Sequence, residues 1–176
     1  MPISDRTKNP SEAAAEKLLA FRVLSLGQLL NRGLAALLDR HLGMSVRQWR
    51  VLFYLANSEP DSVQNIAAFC RYDKSQVSRA ISELQDKKLV RTAASAADGR
   101  RLEVSLTSAG RAAYARGLPL SQARHDSLVD CLSAQELRAF ERIMDKLSDR
   151  AQDLLDEAYE AEPGQPAEKR PARARA

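Results

Sequence analysis

Cysteine, histidine and tryptophan are scarce here: two, two and one among 176 residues. Cys70 and Cys131 are too few for a disulfide framework, and both read as inert buried thiols. His41 and His125 lie far apart with no cysteine at ligand spacing, so no metal site is expected. No run of about 20 apolar residues occurs, which argues against a membrane-spanning helix. The opening stretch, MPISDRTKNPSEAAAEK, lacks the apolar centre of a secretory signal, and a cytoplasmic location is expected. There is no Gly-x-Ser-x-Gly elbow, phosphate loop, His-Glu-x-x-His or pair of catalytic carboxylates in context. The sequence therefore predicts no enzyme and no cofactor.

What is present is apolar residue, 44% of the chain, and a slight excess of positive charge: 27 Lys and Arg against 23 Asp and Glu, net +4. Residues 71–111 hold nine basic and five acidic residues, so the whole excess sits in about a quarter of the chain. A local basic patch suits a polyanion such as DNA; a solvated surface would carry the same charge.

The apolar spacing divides the chain. From Ser11 to about His41, Leu19, Val23, Leu26, Leu30, Leu34, Leu37 and Leu38 recur at three and four, a helical period. Leu18, Phe21, Leu24 and Leu29 widen the stripe, and a helix apolar on several faces needs more than one neighbour to bury it. Gly43 ends it. Ser45 and Gln48 have the spacing of a capping box for a second helix with Trp49, Leu52, Phe53 and Ala56 inward. After the break at residues 57–60, Asp61 or Ser62 caps a short third helix through Ile66, Ala67 and Phe69. Arg71 and Tyr72 make a turn, and Asp73 with Gln76 opens a fourth helix.

The period then changes. Residues 89–93 read as a strand, Asp98-Gly99 as a turn, and residues 101–106 alternate, with Leu102, Val104 and Leu106 on one side. This is a β-hairpin. Thr107 caps a helix running toward Leu132, with a kink expected at Gly117–Pro119. Ser133 and Glu136 form a capping box for a last helix to about Tyr159, whose stripe includes Leu137, Phe140, Ile143, Met144, Leu147, Leu154 and Leu155. Residues 1–11 and the Pro/Ala/Arg-rich tail 162–176 read as disordered.

Two short helices, a turn, a helix and a hairpin describe a winged helix-turn-helix: a mostly α chain with a small β-hairpin wing, α+β in class. In the fourth helix Val77, Ala80, Ile81 and Leu84 point inward at i, i+3, i+4 and i+7. Ser75, Gln76, Arg79 and Glu83 face outward, with Lys74 and Ser78 at the edge. Arg reads guanine with two hydrogen bonds, Gln reads adenine, and hydroxyls hold phosphates. The plainer reading is an amphipathic surface helix, but such helices favour Glu/Lys pairs over Lys-Ser-Gln-x-Ser-Arg. Arg100 and Arg101 at the hairpin tip suit a narrow minor groove. Asp98 orders that tip by pinning an arginine, such as Arg91, or by capping the turn.

These motifs together resemble the MarR family of bacterial regulators. The likeness is carried by Ile66-Ala67, by Asp73-Lys74-Ser75-Gln76-Val77-Ser78-Arg79, by Leu89-Val90-Arg91, by Asp98-x-Arg100, by Leu106-Thr107-x-x-Gly110, and by Ser45-x-x-Gln48-Trp49-x-Val51-Leu52. It covers roughly residues 15–158. The resemblance implies a homodimer in which the first helix and the last two interlock two subunits. Residues 12–42 would be a dimerisation helix, 45–107 the winged helix-turn-helix domain and 108–160 the remaining dimerisation helices. The two recognition helices would enter successive major grooves of a pseudo-palindromic operator.

The family's members commonly repress nearby genes, and many release DNA when a small aromatic, often acidic, ligand enters the cleft beside the DNA-binding region. Ser25, Gln28, Arg32, Arg40, His41 and Arg50 would supply polar groups there, with Trp49 and Tyr72 as stacking faces. His41 also reads as a helix C-terminal residue favoured by the dipole, and Trp49 as core. The wording is further similar to the branch that senses hydroxylated nicotinate. A peroxide-sensing regulator would want a cysteine early in the first helix, and none is there. The other alternative is a winged-helix protein-interaction module, which has no need of Lys74, Arg79, Arg100 and Arg101.

Overall fold

The computed structural model describes residues 18–58, 60–95 and 102–161. The ends expected to be disordered, and the turn with Asp98, Gly99, Arg100 and Arg101, lie outside the described residues. The chain forms two units, Met1–Val46 and Arg47–Ala176.

The first unit is built on α1, Leu19–Leu42. Residues 11–17, where the sequence pattern starts this helix, are outside the described residues. It stops because Gly43 turns into the left-handed region, φ 59°, a conformation that costs glycine nothing and most residues about 1 kcal/mol or more. Its N–H donates back to the Asp39 carbonyl at 3.0 Å. Arg40 and His41 occupy the last turn, where the carbonyl ends favour positive charge. Leu38, Met44 and Val46 are buried, yet Leu19, Phe21, Leu24 and Leu29 are each more than half exposed.

In the second unit the order is α2 (Val46–Ser58), β1 (Asp61–Ser62), α3 (Val63–Cys70), α4 (Lys74–Asp86), β2 (Val90–Ala94), β3 (Leu102–Leu106), α5 (Ser108–Val129) and α6 (Ala134–Ala161). The expected hairpin is a three-stranded antiparallel sheet, β1-β3-β2. Asp61 pairs with Val104 and Val90 with Leu106. A strand of two residues leaves no period to read, so β1 was invisible to pattern. The third helix takes Ser62 as its cap, whose hydroxyl accepts from the Asn65 N–H at 3.2 Å. Asp61 instead accepts from Tyr54 Oη, from Ser62 N and from Asn65 Nδ2, tying α2, β1 and α3 together.

The core of this unit joins α2 (Val51, Leu52, Leu55), α3 (Ile66, Cys70), α4 (Val77, Ile81, Leu84) and the sheet (Val90, Val104, Leu106). Two residues expected inside are not. Phe53 is 36% exposed, and Leu102, paired with Ala94 at the far end of the ladder, is 60% exposed. The alternation of β3 is correct, but the core ends before its first residue. Cys131 is likewise exposed rather than buried, because it sits in the turn after α5. Pro119 lies inside α5, which runs on to Val129. The Ser133–Glu136 box is formed: Ser133 N and Oγ donate to Glu136 Oε2 at 2.8 and 2.7 Å, and Glu136 N donates to Ser133 Oγ at 3.3 Å. These bonds hold the Glu136 carboxyl below its ordinary range.

The passage from α4 to α5 is the tightest joint. Leu89 N donates to the Leu84 carbonyl at 2.9 Å, Lys88 N to Gln85 at 2.8 Å, and Lys88 adopts φ 59°. This is a Schellman ending without glycine. The Leu89 carbonyl accepts from Thr107 N at 3.0 Å, and Thr107 Oγ1 accepts from Gly110 N, capping α5. A Cβ on Gly110 would lie 2.0 Å from the Leu89 oxygen. Gly110→Ala should therefore cost about 3 kcal/mol through overpacking, lowering the melting temperature by roughly 6–12 °C in a domain this size. A melting curve unchanged by the substitution would refute the close approach.

Candidate nucleic-acid interface

Helix α4 divides cleanly. Val77, Ala80, Ile81 and Leu84 are buried, while Lys74, Ser75, Ser78, Arg79 and Glu83 are exposed and Gln76 is half-buried. Asp73 stands at the N-cap in extended conformation, φ −63° and ψ 146°, but its carboxylate makes no capping bond. Its carbonyl accepts from Gln76 N and Val77 N at 2.9 and 3.1 Å. The expected Asp73–Gln76 side-chain box is thus not made; an exposed carboxylate keeps its water instead. Arg79 folds back enough for Nε to donate to the Ser75 carbonyl at 3.3 Å. The outer face of the first two turns presents a lysine, two serines and an arginine, with the helix N-terminus pointing the same way, a combination suited to phosphates and base edges.

Beside it, Arg91 on β2 is exposed and donates from Nε to Ser105 Oγ on β3 at 3.1 Å, across a register pair. Gln85 Nε2 donates to Thr92 Oγ1 at 3.1 Å, joining α4 to β2. Asp98, Arg100 and Arg101 are outside the described residues.

The residues put forward for a ligand fall into both units. On α1, Ser25 is half-buried, and Gln28, Arg32, Arg40 and His41 are exposed. In the second unit Trp49 is only 4% exposed, its ring stacked on Tyr114 of α5 at 5.8 Å and edge-on to Phe53 at 6.4 Å. Arg50 is exposed, lies 5.4 Å from the Tyr72 ring centre and donates to the Cys70 carbonyl at 3.3 Å. Tyr114 carries no sequence motif and was missed; only its position on α5 opposite α2 reveals it. Gln48, put forward as a capping residue, has a long-range role that its spacing does not reveal. It is 5% exposed, donating from Nε2 to Glu83 Oε2 at 2.6 Å and accepting at Oε1 from Lys87 Nζ at 3.2 Å. A buried amide needs partners for both ends, and α4 supplies them. Among the described residues no cluster of three or more His, Cys, Asp or Glu could hold a metal ion.

The sequence model of the MarR family matches residues 42–101, from the end of α1 through the β2–β3 turn. The chain thus carries a segment that matches the MarR family. A MarR-family transcriptional regulator from Silicibacter pomeroyi shares 28% identity over 80% of this chain and 94% of its own, with a TM-score of 0.66. A MarR-family regulator from Streptomyces coelicolor, solved in complex with DNA, is similar in fold at 23% identity, covering 90% and 96%, with a TM-score of 0.72. CouR from Rhodococcus jostii, solved bound to p-coumaroyl-CoA, is similar in fold at 19% identity, covering 80% and 93%, with a TM-score of 0.65. No curated protein sequence matches the chain. The Silicibacter pomeroyi and Streptomyces coelicolor proteins are transcriptional regulators.

The two thiols of the chain differ sharply. Burial pushes the Cys70 thiol up to about 11 from an ordinary 9.0, with Arg50 opposing in part. Folding thus holds that proton. Stability from this group is complete below pH 9 and falls as pH rises through about 11. At pH 8 a maleimide should label Cys131 rapidly and Cys70 only on unfolding, as mass spectrometry of the labelled peptides would read out. Rapid labelling of Cys70 in the folded chain would contradict its burial.

Proposed function

We propose that this chain is a regulator of the MarR family, a homodimeric repressor that reads a pseudo-palindromic operator through α4 and lets go when a small aromatic acid binds. The observation that carries the DNA reading is the two-sided character of α4: four apolar residues fully engaged in the core, and Lys74, Ser75, Ser78 and Arg79 on the outside. Gln76 joins them as an adenine reader. In the sequence, Asp98, Arg100 and Arg101 fall between β2 and β3, where a wing would meet the minor groove. The Streptomyces coelicolor regulator of similar fold binds DNA, which supports this use of the fold.

A second copy of the chain is supported by apolar surface that one chain leaves in water. On α1 this is Phe21, Leu24 and Leu29; on α6 it is Phe140, Ile143, Leu147 and Leu154, each 37–66% exposed. Along α6 these recur at spacings of three and four, the stripe that helices bury against each other. A duplex selected from random DNA by the wild-type chain should bind two chains, as sedimentation will count. Arg79→Ala should cost about 1–3 kcal/mol per half-site and narrow the gap between the selected and a scrambled duplex. An unaltered gap, or one chain per duplex, would overturn this part.

An aromatic acid is supported by Arg50, an exposed guanidinium beside the Tyr72 ring, which offers a charge-assisted bond next to a stacking face. CouR, of similar fold, binds an aromatic acyl thioester. An effector acts only by preferring the state that does not hold DNA, and its binding and that of DNA must weaken each other equally. Titration calorimetry with benzoates and hydroxynicotinates on free and DNA-bound protein should show a coupling of about 1–3 kcal/mol. Equal affinity in the two states would rule out release by that acid.

A further inference from the structure

We propose that Gln48 is a positioning residue for DNA recognition: it clamps the far end of α4 and so sets the angle at which Lys74 to Arg79 meet the bases. The proposal rests on the reading of α4 as the DNA-reading helix. Gln48 is buried, and α4's end uses both ends of its amide, Glu83 Oε2 at 2.6 Å and Lys87 Nζ at 3.2 Å. The next two residues of α2 hold other elements. Trp49 stacks on Tyr114 of α5, and Arg50 donates to the Cys70 carbonyl at the end of α3. Helix α2 is thus anchored independently of α4, and Gln48 is a polar link from that anchor to α4.

The apolar contacts of Val77, Ala80, Ile81 and Leu84 hold α4 against the core, but burial is non-directional and permits small rotations. Hydrogen bonds to one amide are directional. The lever is long: at 1.5 Å per residue, Lys74 lies about 20 Å from Lys87 along the axis. A tilt of about 5° at the clamp would move the reading end by nearly 2 Å, more than the whole range of a hydrogen-bond length. Glu83, one turn beyond Arg79 on the exposed face, therefore serves as a handle held from behind rather than as a DNA contact.

The test uses the full chain, the selected duplex and its scrambled counterpart. Gln48→Met keeps the length and removes both bonds. Gln48→Glu sets a carboxylate against Glu83. The double variant Gln48→Glu with Glu83→Gln restores a donor–acceptor pair with the roles exchanged, while Lys87 keeps an acceptor. Both single variants should lose about tenfold or more on the selected duplex, the scale of one lost base contact. They should bind the scrambled duplex within about twofold of wild type, and the double variant should recover most of the loss. Circular dichroism and melting temperature show which variants fold, and the double variant keeps the test open if Gln48→Met does not. Wild-type discrimination in the single variants, or no recovery in the folded double variant, overturns the proposal. Arg79→Ala is measured alongside. If it leaves discrimination intact, the reading of α4 itself falls; if it abolishes discrimination while the Gln48 variants do not, only the clamp falls.

Discussion

Three consecutive side chains of one short helix hold together the lobe built around α2. Gln48 reaches α4, Trp49 stacks on α5, and Arg50 bonds the end of α3 and lies over Tyr72. Successive residues of a helix point about 100° apart, so three in a row can serve three neighbours only if the helix is surrounded. Val46, Val51, Leu52 and Leu55 complete that encirclement. The arrangement makes α2 the reference frame for every surface that could meet DNA. It also explains a polar residue at the centre. Apolar packing would hold α4 nearby, whereas an amide with two partners holds it at one angle.

The second joint lies at the same C-terminal end of α4. The Leu89 peptide donates to the last turn of α4 and accepts from the first residue before α5, and Gly110 lets α5 press against that same carbonyl. The C-terminal end of α4 is thus held twice, by a side chain from α2 and by backbone running into α5. Movement of α5 would be passed to α4 through hydrogen bonds rather than through a compliant loop.

Against this well-packed lobe stand helices whose apolar residues are largely in water. Exposed Phe140, Ile143, Leu147 and Leu154 on α6 carry a cost of about 25 cal/mol for each Å² of apolar surface left uncovered. The contrast between the sealed interior around α2 and the open stripes on α1 and α6 is why assembly belongs in the proposed function. The lobe around α2 buries its apolar residues within one chain, whereas α1 and α6 leave theirs in water.

Much of this was legible from the sequence alone. The four inward residues of α4 are the four that are buried, the Ser133–Glu136 box forms, Thr107 caps α5, and Val104 and Leu106 enter the core. Each of these depends on residues within about four positions of one another, so spacing carries the information. Tertiary structure alone decided the rest. Gln48 has a capping residue's spacing, and nothing in that spacing points to the two partners of its amide 35 and 39 residues away. Gly110 is required by a carbonyl at Leu89, and Tyr114 matters only because Trp49 is laid against it. Leu102 alternates correctly yet meets water, since a strand's period says which side a residue faces and nothing of how far the core extends. Local order is written in neighbours along the chain, whereas the environment of a side chain is made by whichever segments the fold brings to it.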